Sequence, residues 1–440
     1  MNNKVFITSL VFVFFIIFVQ TINSQSIENK YKLEELIGLA YKNNPLLTSN
    51  EKNIQSKLKQ IEYLDLNYIP QLFFDVNASY WKYLPPNKLK LLDSSLIDIY
   101  TDVRVSQLLF DGNKNSLQKE YVYKTVDVDK NYERKLKQSI SFSIAKSYFE
   151  LLRAKRIVQI QEELISQLQE HLKIAEALYG IGKVSNLDVI KANLQIEIAN
   201  DDLAKSKNQY SLYKNNLNAL CGNVLSGTFD IIDNVDELWV KYFNKNYDSS
   251  ALERQFVSNH PDLEKIDIQI QLKNKEIQIY NSEVFPSVYA FGIINIEDSR
   301  LSARNLNWNI GLTMSYSLPF FRGSNYEVNI EKTKISIDAL NESKTALVQQ
   351  FEANVKNILI KFNDIKSRLS SNEKIIKLAE ESLITANLKY GIGKGSDLDV
   401  LDAETVLKTA KLNYNQIVID FLLTVVELNY NIGNDSFAFN

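Results

Sequence analysis

From residue 347 onward the apolar positions form one long series: Leu347, Phe351, Val355, Ile358, Phe362, Ile365, Leu369, Asn372, Ile376, Ala379, Leu383, Ala386 and Tyr390. The series covers 43 residues in 12 steps of three or four, a mean near 3.6, with Asn372 its one polar member. That spacing lies along one face of a helix. From Val355 the steps of three and four alternate strictly, which is a heptad seam. A helix of this length cannot bury itself, so a returning helix must pack beside it as an antiparallel coiled-coil hairpin.

Elsewhere the period falls to two. Leu306, Trp308, Ile310, Leu312, Met314, Tyr316 and Leu318 alternate with Asn307, Asn309, Gly311, Thr313, Ser315 and Ser317. Leu72, Phe74, Val76, Ala78 and Tyr80 share a face opposite Asp75, Asn77 and Ser79, and Val103 and Val105 alternate with Asp102, Arg104 and Ser106. Val288, Ala290, Gly292, Ile294 and Ile296 share a face, although Tyr289, Phe291 and Ile293 opposite are apolar too. These segments predict four strands, each long enough to cross a bilayer at a tilt. Periodicity alone leaves open a half-buried sheet in a soluble domain.

The pattern occurs twice. Tyr179-Gly180-Ile181-Gly182-Lys183-Val184-Ser185-Asn186-Leu187-Asp188-Val189 recurs as Tyr390-Gly391-Ile392-Gly393-Lys394-Gly395-Ser396-Asp397-Leu398-Asp399-Val400, nine of eleven positions matching at an offset of 211. Gly112 and Gly323 keep that offset, whereas Pro45 and Pro261, like Pro70 and Pro286, are 216 apart. A collinear series of matches marks a tandem duplication. The expected organisation is a signal peptide at 1–24, a first repeat at 25–225, a connector at 226–260, a second repeat at 261–436 and a tail at 437–440. Within the repeats we expect strands near 68–82 and 98–110, then 286–297 and 305–318. The long helices are expected at 113–178 and 324–389, and the return helices at 187–220 and 398–430. The five residues extra to the first copy fall around Pro85-Pro86, in the loop of its strand pair.

Composition sharpens this picture. There are 13 Gly and 7 Pro in 440 residues, against about 53 at ordinary usage. Neither 113–179 nor 324–390 contains a glycine, and each stretch is 67 residues long, about 100 Å of helix. The net charge of −3 does not suit a nucleic-acid binder. Lys4 followed by an apolar run at 5–19 reads as a secretory signal, and no later run is long and apolar enough for a membrane helix. With Cys221 the one cysteine, no internal disulfide can form, and a free structural thiol is expected. His171 and His260 lie far apart in sequence, and His260, before Pro261, reads as a helix-start residue. No nucleophile, metal or phosphate constellation stands out, so we expect no catalytic residue, no metal, no cofactor and no enzyme activity.

Four strands cannot close a barrel, and an open sheet edge is not viable in hydrocarbon. Several chains must therefore complete a membrane barrel together, if the strands lie in a membrane. With its signal segment, its repeated helix–strand–strand–long helix–turn–helix order and its two Tyr-Gly-Ile-Gly-Lys turns, the chain resembles the TolC-type outer membrane efflux proteins. The resemblance covers nearly all of the mature chain. It implies a mainly α fold with membrane β: long coiled-coil hairpins forming an α-barrel, continuous with four strands contributed to a trimeric transmembrane β-barrel. It also implies a homotrimer in outer membrane lipid that docks a periplasmic adaptor (membrane fusion) protein and an inner-membrane transporter. The expected function is a tripartite efflux duct for small molecules. A duct for type I protein secretion stays open, as does an exported structural coiled-coil or adaptor protein.

The two turns carry the candidate site. Gly180 and Gly182, and Gly391 and Gly393, let the chain leave the long helices by permitting positive φ. By resemblance, Gly180, Ile181, Gly182, Lys183, Gly391, Ile392, Gly393 and Lys394 form the adaptor-docking tips. Ser185 with Asp188, and Ser396 with Asp399, fit a capping box. Asp402 lies one turn beyond Asp399 on the same face, so three copies would set six carboxylates around a lumen. The resemblance places constricting aspartates at Asp399 and Asp402, and a closed-state Tyr–Asp link at Tyr390 and Asp188. Gly395 stands where the family has an arginine partner, and Lys394 is the adjacent cation. Phe73, Phe74, Tyr80, Trp81, Tyr83, Tyr100, Tyr289, Phe291, Trp308 and Tyr316 suit interfacial girdles.

Overall fold

The computed structural model describes residues 29–82, 95–226, 229–243, 245, 247–298, 306–316 and 325–434. The expected signal segment, Tyr83, Pro85-Pro86, the strand end at Ser317 and Leu318, Gly323 and the tail lie outside them. The helices are α1 (Leu33–Asn43), α2 (Pro45–Asp65), α3 (Lys114–Gly180), α4 (Asn186–Leu220), α5 (Val235–Phe243), α6 (Ser249–Asn259), α7 (Pro261–Ser282), α8 (Asn325–Gly391) and α9 (Asp397–Asn431). The strands are β1 (Lys30–Tyr31), β2 (Gln71–Lys82), β3 (Ser95–Phe110), β4 (Asp230–Ile231), β5 (Ser287–Asp298) and β6 (Leu306–Ser315). Both long helices, α3 and α8, run for 67 residues. No helix among the described residues is long and apolar enough to cross a membrane.

Two compact units emerge, and each takes segments from both sequence copies. One unit comprises 45–136 and 259–351. It holds a four-stranded antiparallel sheet in the order β2-β3-β5-β6. The register puts opposed residues on a common face. Leu72, Val105, Gly292 and Ile310 align across the strands, as do Phe74, Val103, Ile294 and Trp308. The neighbouring row, on the other face, is polar: Asp75, Asp102, Asn295 and Asn307. On the apolar face, Leu72 is 71% exposed, Trp308 73% and Ile310 76%. A sheet with one apolar and one polar face suits lipid on one side and water on the other. In the same unit the helices are joined by ion pairs, including Lys57 to Asp129 at 2.7 Å and Lys135 to Asp262 at 2.8 Å. His260 caps α7, its Nδ1 accepting from the Asp262 N–H at 3.2 Å.

Among the described residues, the other unit comprises 29–44 and those within 137–258 and 352–434. Its core joins both copies: Ile144, Tyr148, Phe149 and Leu152 of α3 are buried, as are Phe362 of α8 and Phe421, Leu422 and Val426 of α9. The rings of Phe362 and Phe421 lie 4.9 Å apart. The seam read from the sequence is the buried face of α8, since Phe351, Val355, Ile358, Phe362, Ile365, Leu369, Ala379, Leu383 and Tyr390 are all buried. Asn372 is accommodated by donating to the Arg368 carbonyl at 2.9 Å. Described parts of the connector pack into this unit: β4 pairs in parallel with β1, and Tyr148 donates to the Ile232 carbonyl. Cys221 is buried and free, and burial pushes its thiol up to about 11.

Candidate gate and docking site at the hairpin turns

Each turn is built by the same backbone device. Gly182 has φ +74°, its N–H bonds the Tyr179 carbonyl, and the Lys183 N–H reaches back to the Leu178 carbonyl at 2.9 Å. In the second turn Gly393 has φ +75°, with bonds from Gly393 to Tyr390 and from Lys394 to Lys389. This is the Schellman termination, which places its positive φ at one residue. That corrects the expectation for Gly180 and Gly391, which close their helices without a positive φ. Ile181 is 67% exposed and Ile392 62%, and Lys183 and Lys394 are also exposed. The two turns are close: a Cβ placed on Gly393 would touch Lys183 Cδ at 3.7 Å.

The return helices then start on capping boxes. Asp188 accepts from the Ser185 N–H at 2.9 Å and from its hydroxyl at 3.0 Å. Asp399 accepts from the Ser396 N–H at 3.0 Å, while its own N–H donates to Ser396 Oγ at 3.2 Å. The backbone bond from Ser396 holds the Asp399 carboxyl below the usual carboxylate range. Asp399 and Asp402 are both exposed, three residues apart on α9. Three apart is one helical turn, so the two carboxylates share a face.

Tyr390 does not make the anticipated link. It is 2% exposed, its ring lies 5.0 Å from the His171 ring, and its hydroxyl has no hydrogen-bond partner. Burial, then the charges of Asp397 and Asp188, push it up to about 12. Asp188 is near enough to act on it electrostatically, but that carboxylate is spent on the Ser185 cap. Gly395 has a local steric reason. A Cβ there would come within 3.0 Å of both Lys389 Cβ and the Tyr390 nitrogen. An arginine at this position would press on the last turn of α8, where Lys389 and Tyr390 would have to give way slightly.

A buried polar group beneath the turns was not singled out from the sequence. His171 Nε2 lies 2.8 Å from Asp397 Oδ1, and both side chains are almost wholly buried. Glu404 is 3% exposed, and burial together with the Asp397 charge pushes it up to about 7. The sign that could have exposed this group is heptad spacing. Within α9, Asp397, Glu404 and Lys411 succeed one another at intervals of seven, and His171 takes the seam position between Leu168 and Ala175 on α3. Among the described residues, no three His, Cys, Asp or Glu side chains are arranged to hold a metal.

Exposed turns at the end of paired helices, and a sheet apolar on one face, are the parts of a membrane-anchored helical channel protein. The chain matches the outer membrane efflux protein family over residues 36–223 and 252–433, and it belongs to that family. It is 23% identical to the cation efflux system protein CusC of Escherichia coli O157:H7 over 408 residues, covering 91% of this chain and 83% of that protein. It is 20% identical to the outer membrane protein TolC of Salmonella enteritidis over 409 residues, covering 89% and 79%. Crystal structures of CusC share its fold with a TM-score of 0.75 at 20% identity, over 91% of this chain and 92% of that one. The chain is an outer membrane efflux channel that extends into the periplasm, from a family of channel proteins.

Proposed function

We propose that this chain assembles as a homotrimer whose strands close one shared barrel, and that small molecules leave through it from an inner-membrane transporter and its periplasmic adaptor. The observation that carries the reading is the sheet. Its outer strands, β2 and β6, have no further partner among the described residues, and its apolar face is exposed. Edges of that kind are stable in lipid only when another copy pairs with them. In this reading the repeats at 25–225 and 261–436 each supply two strands and one hairpin. Ile181-Gly182-Lys183 and Ile392-Gly393-Lys394 present the adaptor with an exposed apolar residue beside a cation. Asp399 and Asp402 supply the narrow, cation-favouring end, with Tyr390 and Asp188 on the hairpins that must part. Native mass spectrometry of the detergent-solubilised protein tests the assembly. Three copies are expected, and a monomer that stays folded and dispersed would refute it.

A further inference from the structure

Four buried polar atoms beneath the turns have no hydrogen-bond partner: His171 Nδ1, Tyr390 Oη, Asp397 Oδ2 and Glu404 Oε2. They come from three helices, α3, α8 and α9. Their surroundings are apolar: Ala175, Leu178, Leu383, Val400, Ala403 and Leu407 form the core about them. A seam of this kind ordinarily carries aliphatic side chains, and an unpaired polar atom within it is costly. Here it carries two carboxyls, seven residues apart on one face of α9.

The charges on the neighbouring turns are already committed. Lys408 of α9 pairs with Asp202 of α4 at 2.8 Å, and Lys411 of α9 pairs with Glu163 of α3 at 2.7 Å. From α8, Lys389 acts on Asp399, and from α4, Asp188 acts on Tyr390. The charge that bears on Glu404 is that of Asp397, of its own sign. His171 of α3 is engaged by the same Asp397. An ionised Glu404 would therefore be a second buried carboxylate with no counter-ion, an arrangement that opposes close packing.

We propose that Glu404, with Asp397 and His171, is a proton-binding site that holds the first hairpin against the second at the turns and releases them when it empties. The inference rests on the reading of these turns as the end that opens. With its proton, Glu404 is neutral and the seam can close. As pH rises through about 7 the proton leaves, and parting the helices lets water solvate the new charge. Glu404 has a higher pKa when packed than its free value of 4.5, so parting releases a proton and is favoured by alkaline pH. Linkage between those two values gives about a tenfold rise in the open fraction from pH 6 to pH 8.

The test is hydrogen exchange by mass spectrometry on the full-length protein in detergent, corrected for the intrinsic pH dependence of exchange. It follows peptides covering 171–190 and 383–404. Exchange there should rise about tenfold between pH 6 and pH 8, and Glu404→Gln should hold the slow rate throughout. Asp397→Asn removes the charge that helps raise Glu404 and should move the step to lower pH. A wild-type protein without the step, or a step unchanged in either variant, would overturn the proposal. Channel conductance is recorded separately on the same samples. A step in exchange without any conductance would leave the proton site standing and count against the channel reading.

Discussion

At the scale of single residues, the hairpin turns combine motifs that read directly from sequence with others that do not. Capping boxes and glycine turns are local, so Ser185-Asp188, Ser396-Asp399, Gly182 and Gly393 could be placed from spacing alone. The His171–Asp397 contact joins residues 226 apart; heptad spacing sets each on a seam, but it does not say that they meet. Tyr390 shows the limit of a resemblance, because the expected aspartate partner is held by its own cap. His260 provides a prediction at this scale. Burial, with help from Lys135, lowers it to about 4, so it stays neutral in the folded state where an unfolded histidine at 6.5 would gain a proton. Its contribution is complete above pH 6.5 and is lost as pH falls toward 4. The loss amounts to about 3 kcal/mol. His260→Asn keeps a capping acceptor without that proton site. Thermal melts at pH 7 and pH 4.5 should show a smaller acid destabilisation in the variant, and equal losses would contradict the assignment.

At the scale of elements, periodicity was the strongest guide. The series from Phe351 to Tyr390 is the buried face of α8, with the polar exception absorbed by its own helix backbone. Heptad spacing reports directly on which side of a helix is dry, which is why this part of the fold was legible. The order within the connector was not, since α5 and α6 are short and β4 has two residues. Period two gave the faces of the strands, although the ambiguous face of β5 needed the register to resolve it. Ile293 stands between Arg104 and Asn309, in the more polar rows. This face assignment predicts a contrast between adjacent residues. Ile310→Lys, on the apolar face of β6, should destabilise the membrane-inserted protein by about 2–4 kcal/mol near mid-membrane. Asn309→Lys should cost far less. Equal effects in urea unfolding from lipid would place the faces wrongly. In the helices, Phe362→Ala should cost about 3–5 kcal/mol, measured as a fall in the unfolding midpoint.

At the scale of the whole molecule, the sequence repeat and the compact units divide the chain differently. Each copy contributes two strands to one sheet and a long helix with its return, and each unit collects pieces from both copies. Duplication thus supplied matched parts, which now differ in sequence at the turns. At the offset of 211, Asp402 corresponds to Lys191, and Asp397 and Glu404 correspond to Asn186 and Asn193 in the first copy. The acidic face of α9 and the buried carboxyls beneath it belong to the second copy alone. A gate built there should respond to changes in α9 far more than to the same changes in α4. In the proposed conduit, Asp399 and Asp402 line the narrow end. Planar-bilayer recording of the purified protein tests it most directly. Small, cation-preferring channels are expected, with conductance rising and cation preference falling when both aspartates are replaced by alanine. Bilayers that stay silent with wild type and double variant alike would contradict it.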